Sequence, residues 1–555
     1  MKKSIATLCT LLVCLITSAQ TSPLANTAIP ELAAYIARSP FQLPNISTPQ
    51  FPDRSFKLSA YGAVSDGKTL NTAAFEKAIS ACSAAGGGHI IVPAGTWLTG
   101  PIRFQSNVDL HLEKGALVQF TKDHTQYPMI KASGKSTTIV TASPVYGYDL
   151  KNIAITGDGI MDGAGESWRP VKKLKTTAAQ WSALLASGGV TSPKGDLWWP
   201  SREAMDGEDY LKTLKNKQPA ATAGDYLPAR DFLRPYMVTF VNCDNVLLEG
   251  VTLRNSPKFV FCPNSCTNLT LRYVNVFNEW WAQNGDGIDI SACKSVVIYK
   301  CTVSAGDDGI CMKSSGGRKD ATGAFNLENI LIAGCTVLRA HGGFVIGSNT
   351  DGGMRNIFVT DCHFTGTDIG LRFKSNAGRG GLVKDIFVDN IVMRDIQHEA
   401  ISFDTYYEDV PAGTAKTTSS AIDGKTPEFT AFHISNVDCQ GAKTAIAITG
   451  LPQAPVHDIW FENIIITADK GMQATDAAGL HFSKTKIMSA KDPVYTFNNV
   501  TGTTISEGFL PPGNRLFVKA EGKSGNIKIK SSGLSHPAAA VSLGEGVDKN
   551  AVIFE

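Results

Sequence analysis

The chain has 555 residues, 43% of them hydrophobic and 18% charged, which is enough to bury a long core. Its net charge of +2 and pI near 7.9 show no clustered basic stripe, so they exclude a nucleic-acid footprint. Selectivity for an anionic ligand would have to come from a few locally placed charges.

Met1-Lys-Lys, an apolar run from Ile5 to Ile16 and Thr17-Ser-Ala19 read as an export signal over residues 1–19. The run is shorter than the roughly 20 apolar residues a membrane span needs, and no other segment reaches that length. The expectation is an exported protein, periplasmic or secreted, with no stable membrane insertion. Residues 20–54 read as an extended leader.

Twelve cysteines are present, two of them in the signal, and the remaining ten are too sparse to form a disulfide scaffold. Cys301, Cys335 and Cys362 recur at one point of successive repeats and predict a column of buried thiols. Cys262 and Cys266 are the best-placed pair for a local bridge.

Phe56 to Gly67 predicts a strand and turn. Asn71 to Ala85 predicts a helix with Asn71 as its N-cap, Phe75, Ala78, Ile79 and Cys82 on its apolar face, and Gly86-Gly-Gly88 as its stop. Such a helix before the first strands would cap an open hydrophobic end. Strands follow at His89–Trp97 and Val108–Val118.

From there one phrase recurs, an Asn or Asp followed by alternating branched apolar residues. It reads Lys151-Asn-Ile-Ala-Ile, Asp244-Asn-Val-Leu-Leu, Thr267-Asn-Leu-Thr-Leu, Lys294-Ser-Val-Val-Ile, Glu328-Asn-Ile-Leu-Ile, Arg355-Asn-Ile-Phe-Val, Lys384-Asp-Ile-Phe-Val and His457-Asp-Ile-Trp-Phe. From position 245 its second residues lie 23, 27, 34, 27 and 29 residues apart. Strand-rich repeats of this period predict an all-β fold, a right-handed parallel β-helix with an N-terminal capping helix. A sandwich of hairpins would not keep one phrase in one phase. The β-helix is expected over residues 55–499, broken by a Trp-rich insertion at 164–232. The pattern weakens after about 475, and residues 500–555 read as a less regular β segment packed on the solenoid.

Four phrases stand at matching points of consecutive repeats: Asn284-Gly-Asp-Gly-Ile-Asp289, Gly306-Asp-Asp-Gly309, Ala340-His-Gly-Gly343 and Gly370-Leu-Arg-Phe-Lys374. Aligning their glycines sets Asp286 beside Asp308 and Asp307 beside His341. The same alignment puts Asp289, Cys311, Val345 and Arg372 in one column, and Lys313, Gly347 and Lys374 in another. With side chains alternating between faces and coils about 4.8 Å apart, the acids and the imidazole fall within reach of one sugar ring. Clustered carboxylates repel, so at least one should hold a proton near neutrality, and an acid beside an ionised base is what glycoside hydrolysis requires. Arg372 and Lys374, two residues apart on one face, suit a sugar carboxylate. Taken singly each phrase is better explained as a structural turn or a solvated charge; their register across four repeats favours a site.

At these residues the chain resembles the polygalacturonases of glycoside hydrolase family 28, pectin-degrading enzymes. Asn284-Gly-Asp286, Gly306-Asp-Asp308, Ala340-His-Gly342 and Arg372-Phe-Lys374 stand where the family carries Asn-Thr-Asp, Gly/Gln-Asp-Asp, Gly-His-Gly and Arg-Ile-Lys. Ala60 to Gly67, Val92-Pro-Ala-Gly95, Arg234-Pro235 and Asn255-Ser-Pro257 also look alike. The resemblance implies inverting hydrolysis of pectic polysaccharide without a cofactor or metal, by a monomer. Asp307 would be the acid, Asp286 and Asp308 would activate water, and His341 would support the acid. Substrate would be held by Asn284, Asp289, Lys313, Arg372, Lys374 and Tyr407. Gly285, Ala340 and Phe373 depart from the pattern without removing a catalytic group, while Cys262-Pro263 replaces a common His-Pro. The insertion could wall one end of the groove and confine attack to chain ends. The competing readings are a hydrolase of another pectic backbone such as rhamnogalacturonan, a calcium-assisted pectate lyase and a non-catalytic carbohydrate-binding β-helix.

Overall fold

In the computed structural model the described residues are 29–134, 136–215, 221–316, 325–407, 422, 424–530 and 537–555. The export signal expected at 1–19 lies outside them. Among the described residues no helix is long and apolar enough to cross a membrane.

The repeated phrase builds a parallel β-helix whose coils stack strand on strand. One wall runs Val246, Leu269, Val296, Ile330, Ile357, Ile386, Phe432, Ile459 in register. A second runs Leu253, Val276, Val303, Val337, Phe364, Met393, Cys439, Ile466. The third carries Ile288, Ile310, Phe344, Leu371, Ile401, Ile446. These side chains are buried and form one continuous core. Phe373 fills it at the level of the four phrases, its ring 4.6 Å from Phe403 and 5.0 Å from Phe432.

The phrase recurs for a backbone reason. Asn152, Asn245, Asn268, Asn329 and Asn356 all take left-handed conformations, with φ between 52° and 63°. Asparagine tolerates this region better than other non-glycine residues. The amides also bond from coil to coil, Asn245 Nδ2 to Asn152 Oδ1 at 2.8 Å and Asn356 Nδ2 to Asn329 Oδ1 at 2.9 Å. Each coil turns a corner at its asparagine.

Helix α1 (Pro30–Ala37) occupies part of the segment read as an extended leader. It starts at proline and packs Tyr35 against Tyr299, Leu331 and Phe358 on the outer surface of the solenoid. Eight residues are too few to show a helical period in the sequence. Helix α2 (Thr72–Ala84) buries Phe75, Ala78, Ile79 and Cys82 against the first coil, as a cap does. Asn71 stands at its N-cap position without capping it. Its amide bonds Val64, Thr69 and Leu98, tying the cap to the strand before it.

All ten cysteines are free and buried, so the bridge expected between Cys262 and Cys266 is not formed. Cys266 turns into the core, where its thiol meets the carbonyls of Phe240 and Asn264. Cys301, Cys335 and Cys362 lie buried and neighbour one another in sequence of coils, the predicted column.

Two further differences appear. Parallel stacking continues past 499, with Met472, Tyr495, Val518 and Val541 in one register and Ile505, Ile529 and Phe554 in another. The chain from 500 therefore adds coils where a less regular segment was expected. Asn499 and Asn526 still turn the corners with φ of 56° and 52°. The 164–232 insertion holds helices α3 (Ala178–Ala186) and α4 (Arg202–Leu214) and a small antiparallel sheet. Val171, Trp181 and Trp198 pack with Leu184 and with Trp281 of the solenoid. Arg169, buried, donates to the Ser256 carbonyl and to Asn255, which pins the base of the insertion.

Candidate active site

The four phrases meet on the third wall. Strand Ile288–Ser291 follows Asp286, strand Asp308–Lys313 follows Asp307, strand Gly342–Ile346 follows His341, and strand Ile369–Lys374 carries Arg372. The predicted columns hold: Asp289 pairs with Cys311, Cys311 with Val345 and Val345 with Arg372. One carboxylate oxygen from each of Asp286, Asp307 and Asp308 lies within 4.8 Å of the others.

The three acids differ in surroundings. Asp286 is 4% exposed and Asp308 2%, whereas the Asp307 side chain is 21% exposed and open to the groove. Burial pushes the Asp286 carboxyl well above the ordinary range, Lys313 opposes this, and the nearby Asp289, Asp307 and Asp308 add to it. Burial acts on Asp308 too, but Lys374, Arg372 and Lys313 overcome it and hold Asp308 well below the ordinary range. The contacts are close: Lys374 Nζ is 2.7 Å and Arg372 Nη1 3.3 Å from the Asp308 carboxylate. Asp286 is therefore pushed toward its protonated form and its neighbour Asp308 toward its ionised form.

The remaining predicted residues sort by reach. His341 Nδ1 is 3.0 Å from Asp307 Oδ1. Arg372 is partly open to the groove and its guanidinium stacks 5.4 Å from the Tyr407 ring, with Lys374 at 4.8 Å from the same ring. Lys374 is 5% exposed, so its ammonium serves Asp308 first. Asp289 has no exposure at all and is bound by Lys313 at 2.6 Å, which places it beneath the groove floor and out of a ligand's reach. Lys313 also reaches Asp286 at 3.1 Å. The Asn284 side-chain oxygen Oδ1 accepts from Arg234 Nη2 at 2.9 Å, so this asparagine braces the loop that presents Asp286.

Several side chains at the site gave no signal in the sequence. Lys175, in a run of lysines at the start of the insertion, comes within 3.0 Å of His341 Nε2. Trp280 sets its ring edge to the His341 face at 5.9 Å. Lys258 lies over Tyr236 and Phe259, and burial pushes its ammonium down to about 8. It directly follows Asn255-Ser-Pro257, the one hint the sequence offered.

The acidic triad has metal-like spacing, but the cations Lys313, Arg372 and Lys374 already balance its charge. A divalent cation would have to displace ammonium groups from buried carboxylates, which this donor set does not favour.

Residues 232–486 match the family model described as Glycosyl hydrolases family 28. The chain is 28% identical over 469 residues to an exo-poly-alpha-D-galacturonosidase of Dickeya chrysanthemi, covering 82% of this chain and 72% of that protein. It is 25% identical to an endo-polygalacturonase of Pectobacterium carotovorum subsp. carotovorum, over 77% of this chain and 90% of the relative. In structure it resembles a hyperthermoactive exopolygalacturonase from Thermotoga maritima, with TM-score 0.61, 27% identity and coverage of 85% and 96% of the two chains. A family 28 exopolygalacturonase from Yersinia enterocolitica shares the right-handed β-helix at TM-score 0.65 and 22% identity. With a family match across the acid-bearing coils and relatives spanning most of its length, the chain is a glycoside hydrolase whose residues 232–486 resemble family 28.

Proposed function

We propose that this enzyme hydrolyses α-1,4-galacturonosyl linkages of polygalacturonan and removes single galacturonates from chain ends. The observation that carries the hydrolysis is the contrast among three adjacent carboxyls: Asp307 open to the groove, Asp308 held ionised by cations, and Asp286 buried beside it. Asp307 donates its proton to the glycosidic oxygen as the bond to C1 breaks. Water attacks C1, Asp308 takes the proton that water loses, and Asp286 holds that water by a hydrogen bond. Arg372 and Lys313 face uronate carboxylates, and Tyr407 offers a sugar-stacking ring.

The inverting outcome rests on the family resemblance and not on spacing. Inverting carboxyls are usually about 6.5–9.5 Å apart, and here the oxygens come within 4.8 Å. Proton NMR of the first-formed product reads the anomer directly, and retention of configuration would remove the inverting assignment.

Exo attack is supported by the insertion, fixed beside the groove by Arg169, Trp181 and Lys175. The Dickeya and Thermotoga relatives named above are exo-acting by name, the Pectobacterium relative endo-acting. A time course on de-esterified polygalacturonan separates the two: monomer alone from the earliest times supports exo attack, and mixed early oligomers overturn it. We also read the N-terminal signal as directing export, since the substrate lies outside a cell that degrades it. Appearance of the enzyme only in the cytoplasmic fraction would sink that reading.

A further inference from the structure

The structure assigns Lys175 a positioning role in the catalytic row, delivered by the insertion. Its ammonium fixes the tautomer of His341 and so the way His341 meets the acid. This rests on the reading of Asp307 as the acid.

The argument begins with donors and acceptors. An ammonium has three donors and no acceptor. Lys175 Nζ directs them at the carbonyls of Gly306 (3.0 Å) and Trp280 (3.3 Å) and at His341 Nε2 (3.0 Å). Nε2 must therefore offer its lone pair, and the single ring proton of a neutral imidazole sits on Nδ1. Nδ1 then donates to Asp307 Oδ1 at 3.0 Å, and the Asp308 backbone N–H donates to the same oxygen at 3.1 Å. Both donors fall on Oδ1, which leaves Oδ2 to carry the proton that is delivered to the leaving sugar.

Charge points the same way. The groups around His341 are Asp307 on the preceding coil, Asp368 on the following coil at 3.8 Å from Nε2, Lys175 from the insertion and the neutral Trp280 ring, with Arg372 near enough to act on both carboxyls. Without Lys175, Nε2 would face the Asp368 carboxylate and be free to take a second ring proton, and a cationic ring would then meet Asp307 Oδ1 in place of a neutral donor. Lys175 supplies the positive charge from outside the ring and occupies the site the second proton would take. The insertion therefore sets the acid's partner.

The test compares the wild-type enzyme with Lys175→Met and Lys175→Arg, with His341→Gln to assign the resonance. Imidazole 15N NMR reports the tautomer without any substrate, and kcat and KM on polygalacturonan report catalysis. The expected wild type has Nε2 unprotonated throughout its active range. In Lys175→Met, Nε2 should take a proton within that range as pH falls. Its kcat should fall on the order of tenfold to a hundredfold, a fraction of what acid catalysis contributes. KM should hold, the alkaline limb of the kcat profile should move to lower pH, and Lys175→Arg should restore part of the rate. A protonated Nε2 in the wild type, or an unchanged kcat and profile in Lys175→Met, would overturn the assignment. Inactivity of every form on polygalacturonan would instead count against the substrate, and the NMR comparison would still decide the role of Lys175.

Discussion

Lys374 Nζ stands 2.7 Å from Asp308 Oδ2, an ion pair in which both side chains are almost fully buried. Sequence pattern had offered Lys374 to the substrate; its position makes it the group that keeps Asp308, the proposed base, ionised. In Lys374→Met, burial acts on Asp308 with less opposition, so its carboxyl rises and is protonated at higher pH. The acid limb of kcat/KM should move to higher pH. Breaking a buried pair should also cost about 3–5 kcal/mol of stability. The sign follows from the depressed wild-type value: Asp308 stabilises the fold above about pH 4 and loses this as pH falls further. Denaturant melts across pH check both parts.

Asp289 tests the same balance from the other side. It helps to raise Asp286 and shares Lys313 with it. A carboxyl raised on folding costs stability as pH climbs from about 4 toward its folded value, and nothing below. Asp289→Asn removes one repelling charge and leaves Lys313 to Asp286, so the loss of stability over that window should shrink. Parallel melting curves for the two forms would show a constant offset if the coupling were absent.

Gly347 has a φ of 101°, and a Cβ there would strike the Lys374 carbonyl oxygen. Gly347→Ala is expected to destabilise by roughly 1–3 kcal/mol and to lower kcat, because the displaced strand carries Lys374. Unchanged melting and activity would mean the coil adapts freely.

Trp281 joins the insertion's aromatic cluster to the solenoid. Trp281→Ala should loosen the insertion and let longer chains pass, so early products on polygalacturonan should broaden from monomer to oligomers. Product sizing by anion-exchange chromatography reads this.

Much of this was legible because a β-helix repeats its own errors and signals. The asparagine at each corner fixed the phase, and phase alone set Asp286 beside Asp308 and Asp307 beside His341. The pairing Asp289–Cys311–Val345–Arg372 followed from counting. Periodicity says nothing, however, about how far a side chain is covered from above. Asp289 and Lys374 share a strand face with Arg372, yet both are buried in ion pairs, so their roles differ. Lys175 was invisible for a related reason: it comes from a nonrepeating insertion and meets His341 across 166 residues of sequence. The coils after 499 were read as less regular although Asn499 and Asn526 still mark their corners, because Pro511-Pro-Gly513 and Glu521-Gly-Lys-Ser-Gly525 interrupt the strand phrase there.

The most direct test measures reducing ends and unsaturated product together on de-esterified polygalacturonan with EDTA present, for the wild type and Asp307→Asn. The account predicts reducing ends without unsaturated product in the wild type, and activity lowered by about 10²–10⁴ or more in Asp307→Asn. Unsaturated ends, dependence on calcium, or an Asp307→Asn variant as active as the wild type would contradict it.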